Sequence, residues 1–131
     1  MNVLVISDDS VLGKAWSYLL EERGYNVFMA SNGPDAIRIG KEHDLHLVMF
    51  DADDMLRMAQ GLTTISVIKN FFGEVPILVL SPWSLNREET LARGATICVA
   101  KPVDYGTVLR LVDMMTSRIS NRRWSMAEES A

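Results

Sequence analysis

Three stretches of this chain are almost solid with apolar, partly β-branched residues: Val3-Leu4-Val5-Ile6, Leu47-Val48-Met49-Phe50 and Ile77-Leu78-Val79-Leu80. A strand that is apolar on both faces has to be covered on both, as in a parallel sheet with helices packed on each side. Two weaker runs, Tyr25 to Ala30 and Thr96 to Ala100, read as further strands. Helical patterns fall between them. From Val11 to Arg23, apolar residues recur at Leu12, Ala15, Trp16, Leu19 and Leu20, the spacing of a core-facing stripe. Ser10 is the expected N-cap there and Gly24 the C-terminal stop. Pro34 opens a second helix with Ala36, Ile37 and Ile39. A third covers about Leu62 to Phe71, with Leu62, Ile65, Ile68 and Phe72 inward. A fourth is short, Arg87 to Arg93, capped by Asn86 and closed by Gly94. The last runs from about Asp104 to Ile119, with Val108, Leu111, Val112, Met115 and Ile119 on one face.

Strand and helix therefore alternate along the chain, which argues a parallel sheet with helices on both sides joined by right-handed crossovers. A length of 131 residues fits one domain, expected over 1–119, with 120–131 as a flexible tail or the start of a linker. The 48% apolar and 23% charged balance excludes disordered and disulfide-scaffold classes. Cys98 is alone and cannot form an internal bridge, and no Cys/His spacing suits zinc. His43 and His46 fall on different elements and make a poor metal pair. The opening apolar run is too short for a signal peptide and no stretch is long enough to span a membrane, so a cytoplasmic setting is expected. The net charge of −4 disfavours direct nucleic-acid binding.

In an open parallel sheet, ligands bind beyond the carboxyl ends of the strands. The first strand is followed there by Ser7, Asp8 and Asp9, the third by Asp51 with Asp53 and Asp54, the fourth by Ser81, and the fifth by Lys101-Pro102. Each alone has a plainer alternative, since Asp or Ser after a strand often caps the next helix and Lys beside Pro is often a solvated turn. Their convergence is what counts. Clustered carboxylates favour a hard divalent cation such as Mg²⁺, and a carboxylate flanked by a hydroxyl and an ammonium can hold a phosphoryl group.

Over residues 2 to 119 the chain resembles a response-regulator receiver domain of two-component signalling, in the CheY-like superfamily. Val3-Leu4-Val5-Ile6-Ser7-Asp8-Asp9 resembles the family's first strand and acidic cluster, and Gly24-Tyr25-Asn26-Val27 its turn into strand two. Asp51 falls on the phosphorylated aspartate, Ser81 on the Ser/Thr, Lys101-Pro102 on the Lys-Pro, and Gly94-Ala95 on another family turn. The resemblance implies a flavodoxin-like (βα)5 three-layer sandwich with a five-stranded parallel sheet in the order 2-1-3-4-5. It implies that Asp8, Asp51 and the backbone carbonyl of Asp53 hold Mg²⁺, or Mn²⁺ in its place. Asp51 would accept the phosphoryl group, Lys101 would pair with its oxygens, and the Lys101-Pro102 bond would be cis. Ser81 would swing to the phosphoryl group and bias the surface of helix four, strand five and helix five. The implied partners are a histidine kinase or phosphotransfer protein, a downstream protein or output domain, and a second copy of the chain through that same surface; no membrane partner is implied.

The departures are specific. Ser7 takes the first of two acidic positions, leaving the pocket one carboxylate short unless Asp9 or Asp53 compensates. The stretch from Asp51 to Gly61 is longer than the family's, with Met55 where a Pro is expected, and that from Ser81 to Lys101 is shorter. Pro82 stiffens the loop beside the hydroxyl. Cys98 stands where the family places a switch Tyr or Phe, so the usual paired switch is incomplete. Trp83 is a candidate to take over part of it, against a plainer packing or surface role; for Cys98 the plainer alternative to redox sensing is a small buried hydrophobe. Asp53 could influence the lifetime of a phosphoryl-aspartate, or be a solvated turn residue. Arg118, Arg122 and Arg123 beside Trp124 read as a solvated helix end or a docking segment.

Two competing functions stand beside this one. A pseudo-receiver would keep the fold and act only as a protein-interaction module; Ser7, Pro82 and Cys98 favour it, while Asp8, Asp51, Ser81 and Lys101 together oppose it. Val48-Met49-Phe50-Asp51-Ala52-Asp53 also resembles the nucleophile motif of haloacid-dehalogenase-like phosphatases, but the later acidic pair of those enzymes is missing. The expectation is therefore a phosphoacceptor and not an enzyme, beyond self-phosphorylation and slow autodephosphorylation.

Overall fold

The computed structural model describes the backbone of residues 1–52, 58–82 and 87–130 and the side chains of 1–52, 61–82 and 87–117. Five strands, β1 (Asn2–Ser7), β2 (Asn26–Ala30), β3 (Leu47–Asp51), β4 (Ile77–Ser81) and β5 (Ile97–Ala100), alternate with α1 (Ser10–Glu22), α2 (Gly33–Glu42), α3 (Met58–Phe72), α4 (Arg87–Ala92) and α5 (Tyr105–Ser130). All strand pairs are parallel and the order is β2-β1-β3-β4-β5. This is the architecture the alternation and the resemblance imply.

Because successive side chains of a strand point to opposite faces, each solid apolar run feeds two cores. Leu4, Ile6, Val48, Ile77, Val79 and Cys98 face α2 and α3, where Ala36, Ile39, Ile65 and Ile68 meet them. Val3, Val5, Leu47, Met49, Leu78 and Leu80 face α1 and α5, where Trp16, Leu20, Val108, Val112 and Met115 meet them.

Helix ends follow local chemistry, with some departures from expectation. The N-cap of α1 is Asp9, not Ser10: its carboxylate accepts from the amides of Val11 and Leu12 at 3.0 and 3.1 Å. A carboxylate at this position meets both the open amides and the positive helix end. At the other end Gly24, with φ of 93°, lets its own amide reach Glu21 O and that of Tyr25 reach Leu20 O, closing the helix. Ala15, expected inward, lies on the exposed side of α1. Asn32 caps α2 through Asp35 N, with Pro34 in its first turn. The α3 helix starts at Met58, a turn before its apolar stripe; Gly61, a poor helix former, hid that turn. Asn86, the expected cap of α4, lies outside the described residues, while Gly94 closes that helix as expected. In α5, Leu109 is buried and Leu111 only half-buried, and the helical backbone continues beyond Ile119 to Ser130. The side chains of Arg118, Arg122, Arg123 and Trp124 lie outside the described residues.

Candidate functional site

Strand register sets the site. Ser7 pairs with Asp51 across β1 and β3, and Ser81 with Ala100 across β4 and β5, so three polar strand ends and the residue before Lys101 arrive at one edge. The backbone amide of Lys101 donates to Ser81 O at 2.7 Å, and that of Ala52 to Leu80 O at 2.8 Å, tying the edge together.

Asp51 continues the parity of Leu47 and Met49, so its side chain enters the α1/α5 side. It is 3% exposed. A carboxylate this deep needs partners, and among them the Lys101 ammonium pairs with Oδ1 and the Trp16 indole N–H donates to Oδ2 at 3.1 Å. The Lys101-Pro102 peptide is cis, as the resemblance implies. Trp16 was legible only as a core residue; the signal it carried was a buried indole N–H, which has to find an acceptor. The same ring meets Tyr105, with centroids 5.0 Å apart and planes at 65°.

Ser7 shapes the turn that follows it. Its hydroxyl donates to Asp9 O at 3.1 Å and accepts from Asp9 N at 3.2 Å, folding the turn that leads into α1. With Asp9 capping that helix, Asp8 is the exposed carboxylate of the turn. Asp8, Asp51, Ser7, Ser81 and Pro82 line one cavity of about 280 Å³, which extends towards Asn32 and Phe50 on the α2/α3 side. Ser81 has the parity of Ile77 and Val79 and is buried at the cavity wall.

Cys98 is 6% exposed within the α2/α3 core; burial pushes its thiol up, against a smaller lowering by Arg87. That is the place of a small hydrophobe. His43 stacks on Phe28 at 4.0 Å, and His46 Nδ1 accepts from the Asn2 amide at 2.9 Å. Asp53 and Trp83 lie outside the described residues. Asp8 and Asp51 offer hard oxygen donors of the kind Mg²⁺ takes. Among the described residues they belong to no group of three or more His, Cys, Asp or Glu side chains set around one point. A cation reaching Asp51 would share its carboxylate with Lys101 and Trp16.

Residues 3–113 match the family profile of the response regulator receiver domain, and the chain belongs to that family. It is 31% identical over 132 residues to the transcriptional regulatory protein ZraR of Salmonella typhimurium, covering 98% of this chain and 28% of that protein. The chain thus spans about a quarter of that relative's length. Among solved structures it is similar to the chemotaxis protein CheY4 of Vibrio cholerae, with a TM-score of 0.75, 22% identity, and coverage of 87% of this chain and 97% of that one. It is also similar to the receiver domain of the sensor histidine kinase PA1611 of Pseudomonas aeruginosa, which has a magnesium ion coordinated in its active-site cleft. There the TM-score is 0.73 and the identity 22%, over 88% of this chain and 97% of the other. The chain is a receiver domain of two-component signalling, a class of signalling domain. No helix among the described residues is long and apolar enough to cross a membrane.

Proposed function

We propose that this receiver accepts a phosphoryl group on Asp51 from a phosphohistidine of a histidine kinase or phosphotransfer protein. The observation that carries the reading is the buried ion pair of Asp51 and Lys101 at the strand ends, with Ser81 on the neighbouring strand. A carboxylate oxygen of Asp51 attacks phosphorus; the P–N bond breaks, and its electron pair leaves with the imidazole, which takes a proton from solvent. Lys101 follows the charge onto the phosphoryl oxygens, and the Ser81 hydroxyl donates to one of them. Asp8, Asp51 and the Asp53 carbonyl would hold Mg²⁺, or Mn²⁺, which when bound neutralises charge on the transferring group. Asp9, committed to the cap of α1, is a weaker candidate for that shell. The state of Asp51 is passed on through the α4–β5–α5 surface to an output domain, a downstream protein or a second copy of the chain, in the cytoplasm, with 120–131 leading out of the domain.

Intact mass after incubation with Mg²⁺ and a small acyl-phosphate donor tests this. A single phosphoryl adduct is expected, absent without Mg²⁺ and absent in Asp51→Asn. A folded protein that takes no adduct, from the donor or from a histidine kinase, leaves the interaction-module reading, which the serine at position 7 and Cys98 at the switch position favour.

A further inference from the structure

Trp16 has a role that its place in an apolar stripe does not require. At 1% exposure its indole N–H has no route to water. The acceptor it finds is Asp51 Oδ2, on the carboxylate whose Oδ1 is held by Lys101. Its ring also contacts Tyr105, the first residue of α5, which is 47% exposed. The other ring pairs among the described residues, Phe28 with His43 and Phe71 with Phe72, involve the α2 and α3 side of the fold. One aromatic path therefore leads from the acceptor carboxylate to α5, in a chain that has Cys98 where its family carries a switch ring.

We propose that Trp16 is a positioning residue that senses the charge on Asp51 and passes its loss to α5 through Tyr105. The proposal rests on the reading of Asp51 as the phosphoacceptor. In the unmodified chain the indole donates to an ionised carboxylate. Once a phosphoryl group is attached, one carboxyl oxygen bridges carbon and phosphorus and the other is a neutral carbonyl, with the charge now on the phosphoryl oxygens. Lys101 can follow that charge, because an ammonium on a flexible stem reorients. The indole cannot: it is buried in the α1/α5 core, the cluster that also holds Leu20, Val108 and the strand side chains of that face. It is left facing a neutral acceptor, and hydrogen bonds to neutral partners are about half as strong as those to charged ones. The neighbour with room to respond is the half-exposed ring of Tyr105.

The experiment uses the full ¹⁵N-labelled chain with Mg²⁺ and beryllofluoride, a phosphoryl mimic. Bound fluoride is read by ¹⁹F resonance, the Trp16 indole by its Nε1–H cross-peak, and Tyr105 by its ring resonances. The expected result is a bound adduct with the Trp16 cross-peak and the Tyr105 ring both displaced. In Trp16→Phe, at a beryllofluoride concentration raised until the ¹⁹F resonance shows a bound adduct, the Tyr105 ring stays where it was. An adduct that leaves the Trp16 cross-peak unmoved overturns the proposal while the acceptor reading stands. So does a Tyr105 ring that moves as far in Trp16→Phe as in the wild type. A folded wild type that binds no beryllofluoride removes the acceptor reading and the proposal with it. Should Trp16→Phe not fold or take no adduct, Asp51→Asn decides: its Trp16 cross-peak must already sit away from the wild-type position before any addition, and coincidence of the two overturns the proposal.

Discussion

The two faces of the sheet reach the carboxyl edge in different conditions. On the α1/α5 side the packing is dry as far as Met49, and Asp51, next on the same face, borders the cavity with its carboxylate between the Lys101 ammonium and the Trp16 indole. On the α2/α3 side the core gives way to a cavity, with Ser81 in its wall and Cys98 buried beneath the edge. Strand alternation alone makes this division, since Asp51 and Ser81 end neighbouring strands with opposite parity. The comparison teaches that the Asp51 carboxylate is held by groups on one face, whereas the cavity it borders opens mainly on the other.

Lys101→Met strikes the dry face hardest. It leaves a carboxylate with no exposed side-chain surface without its cation, and breaking such pairs typically costs about 3–5 kcal/mol. Since Lys101 itself is 17% exposed, the lower end is expected, as a loss of stability in urea unfolding at pH 7. Adding Asp51→Asn to that variant should recover most of the loss; a double variant no more stable than Lys101→Met alone would mean that the pair is not what holds this face together. Trp16→Phe comes next. It keeps an aromatic ring but removes the N–H, and a hydrogen bond to a charged group is worth about 1.5–3 kcal/mol. Some 2 kcal/mol of lost stability is expected, and Asp51→Asn should shrink that loss, because the acceptor is then neutral.

How much of this was legible in the sequence divides along the same line. The strands announced themselves, since runs such as Ile77 to Leu80 have no other economical place than a covered sheet. The residues at the strand ends could be named from chain order alone, because topology takes every carboxyl end to one edge. What order could not supply was side-chain parity beyond the strands. Trp16 matched the apolar stripe of α1 and does pack in the core, yet its one polar atom is spent on the site. Parity counting from Leu47 through Met49 to Asp51 would have put that carboxylate on the face of α1, and a buried indole there needs a hydrogen-bond acceptor. The turn roles of Ser7 and Asp9 were hidden for a related reason. Both types suit a cap and a ligand shell equally, and only the turn geometry shows the hydroxyl folding the turn and Asp9 capping the helix. In α5 the apolar period stops before the backbone helix does, so periodicity set too early an end.

The α2/α3 face offers a control for the dry one. A Cβ on Gly40 would run into the Phe72 ring, so Gly40→Ala forces that ring aside. Overpacking of this kind costs about 1–3 kcal/mol, and because Phe72 is half-buried and can yield, about 1 kcal/mol is expected in thermal unfolding. The yield of phosphoryl adduct should not change. If it fell, the two faces would be mechanically coupled and the division drawn here would be wrong.

An effect as small as that is expected at Tyr25, where the α1/α5 side is fastened at the opposite end from the site. Its hydroxyl donates to Asp113 Oδ1 at 2.6 Å and lies 3.0 Å from Thr116 Oγ1, joining the turn after α1 to α5. Burial raises the Tyr25 pKa above 10.0, and the hydrogen bond to Asp113 adds to it. A folded-state value above the unfolded one means that the neutral phenol is favoured by folding. The stabilisation is therefore complete below the unfolded pKa of about 10 and is lost as pH rises through the folded value. Tyr25→Phe should cost about 1 kcal/mol at pH 7, since the tether is part-exposed. Above pH ~10 the gap between variant and wild type should narrow, because the wild-type phenol then ionises beside Asp113 and loses the bond the variant never had. Unfolding midpoints of both proteins across that range give the answer; a gap that stays constant with pH would mean that folding does not raise the Tyr25 pKa, and the absence of any gap would mean that the tether adds nothing.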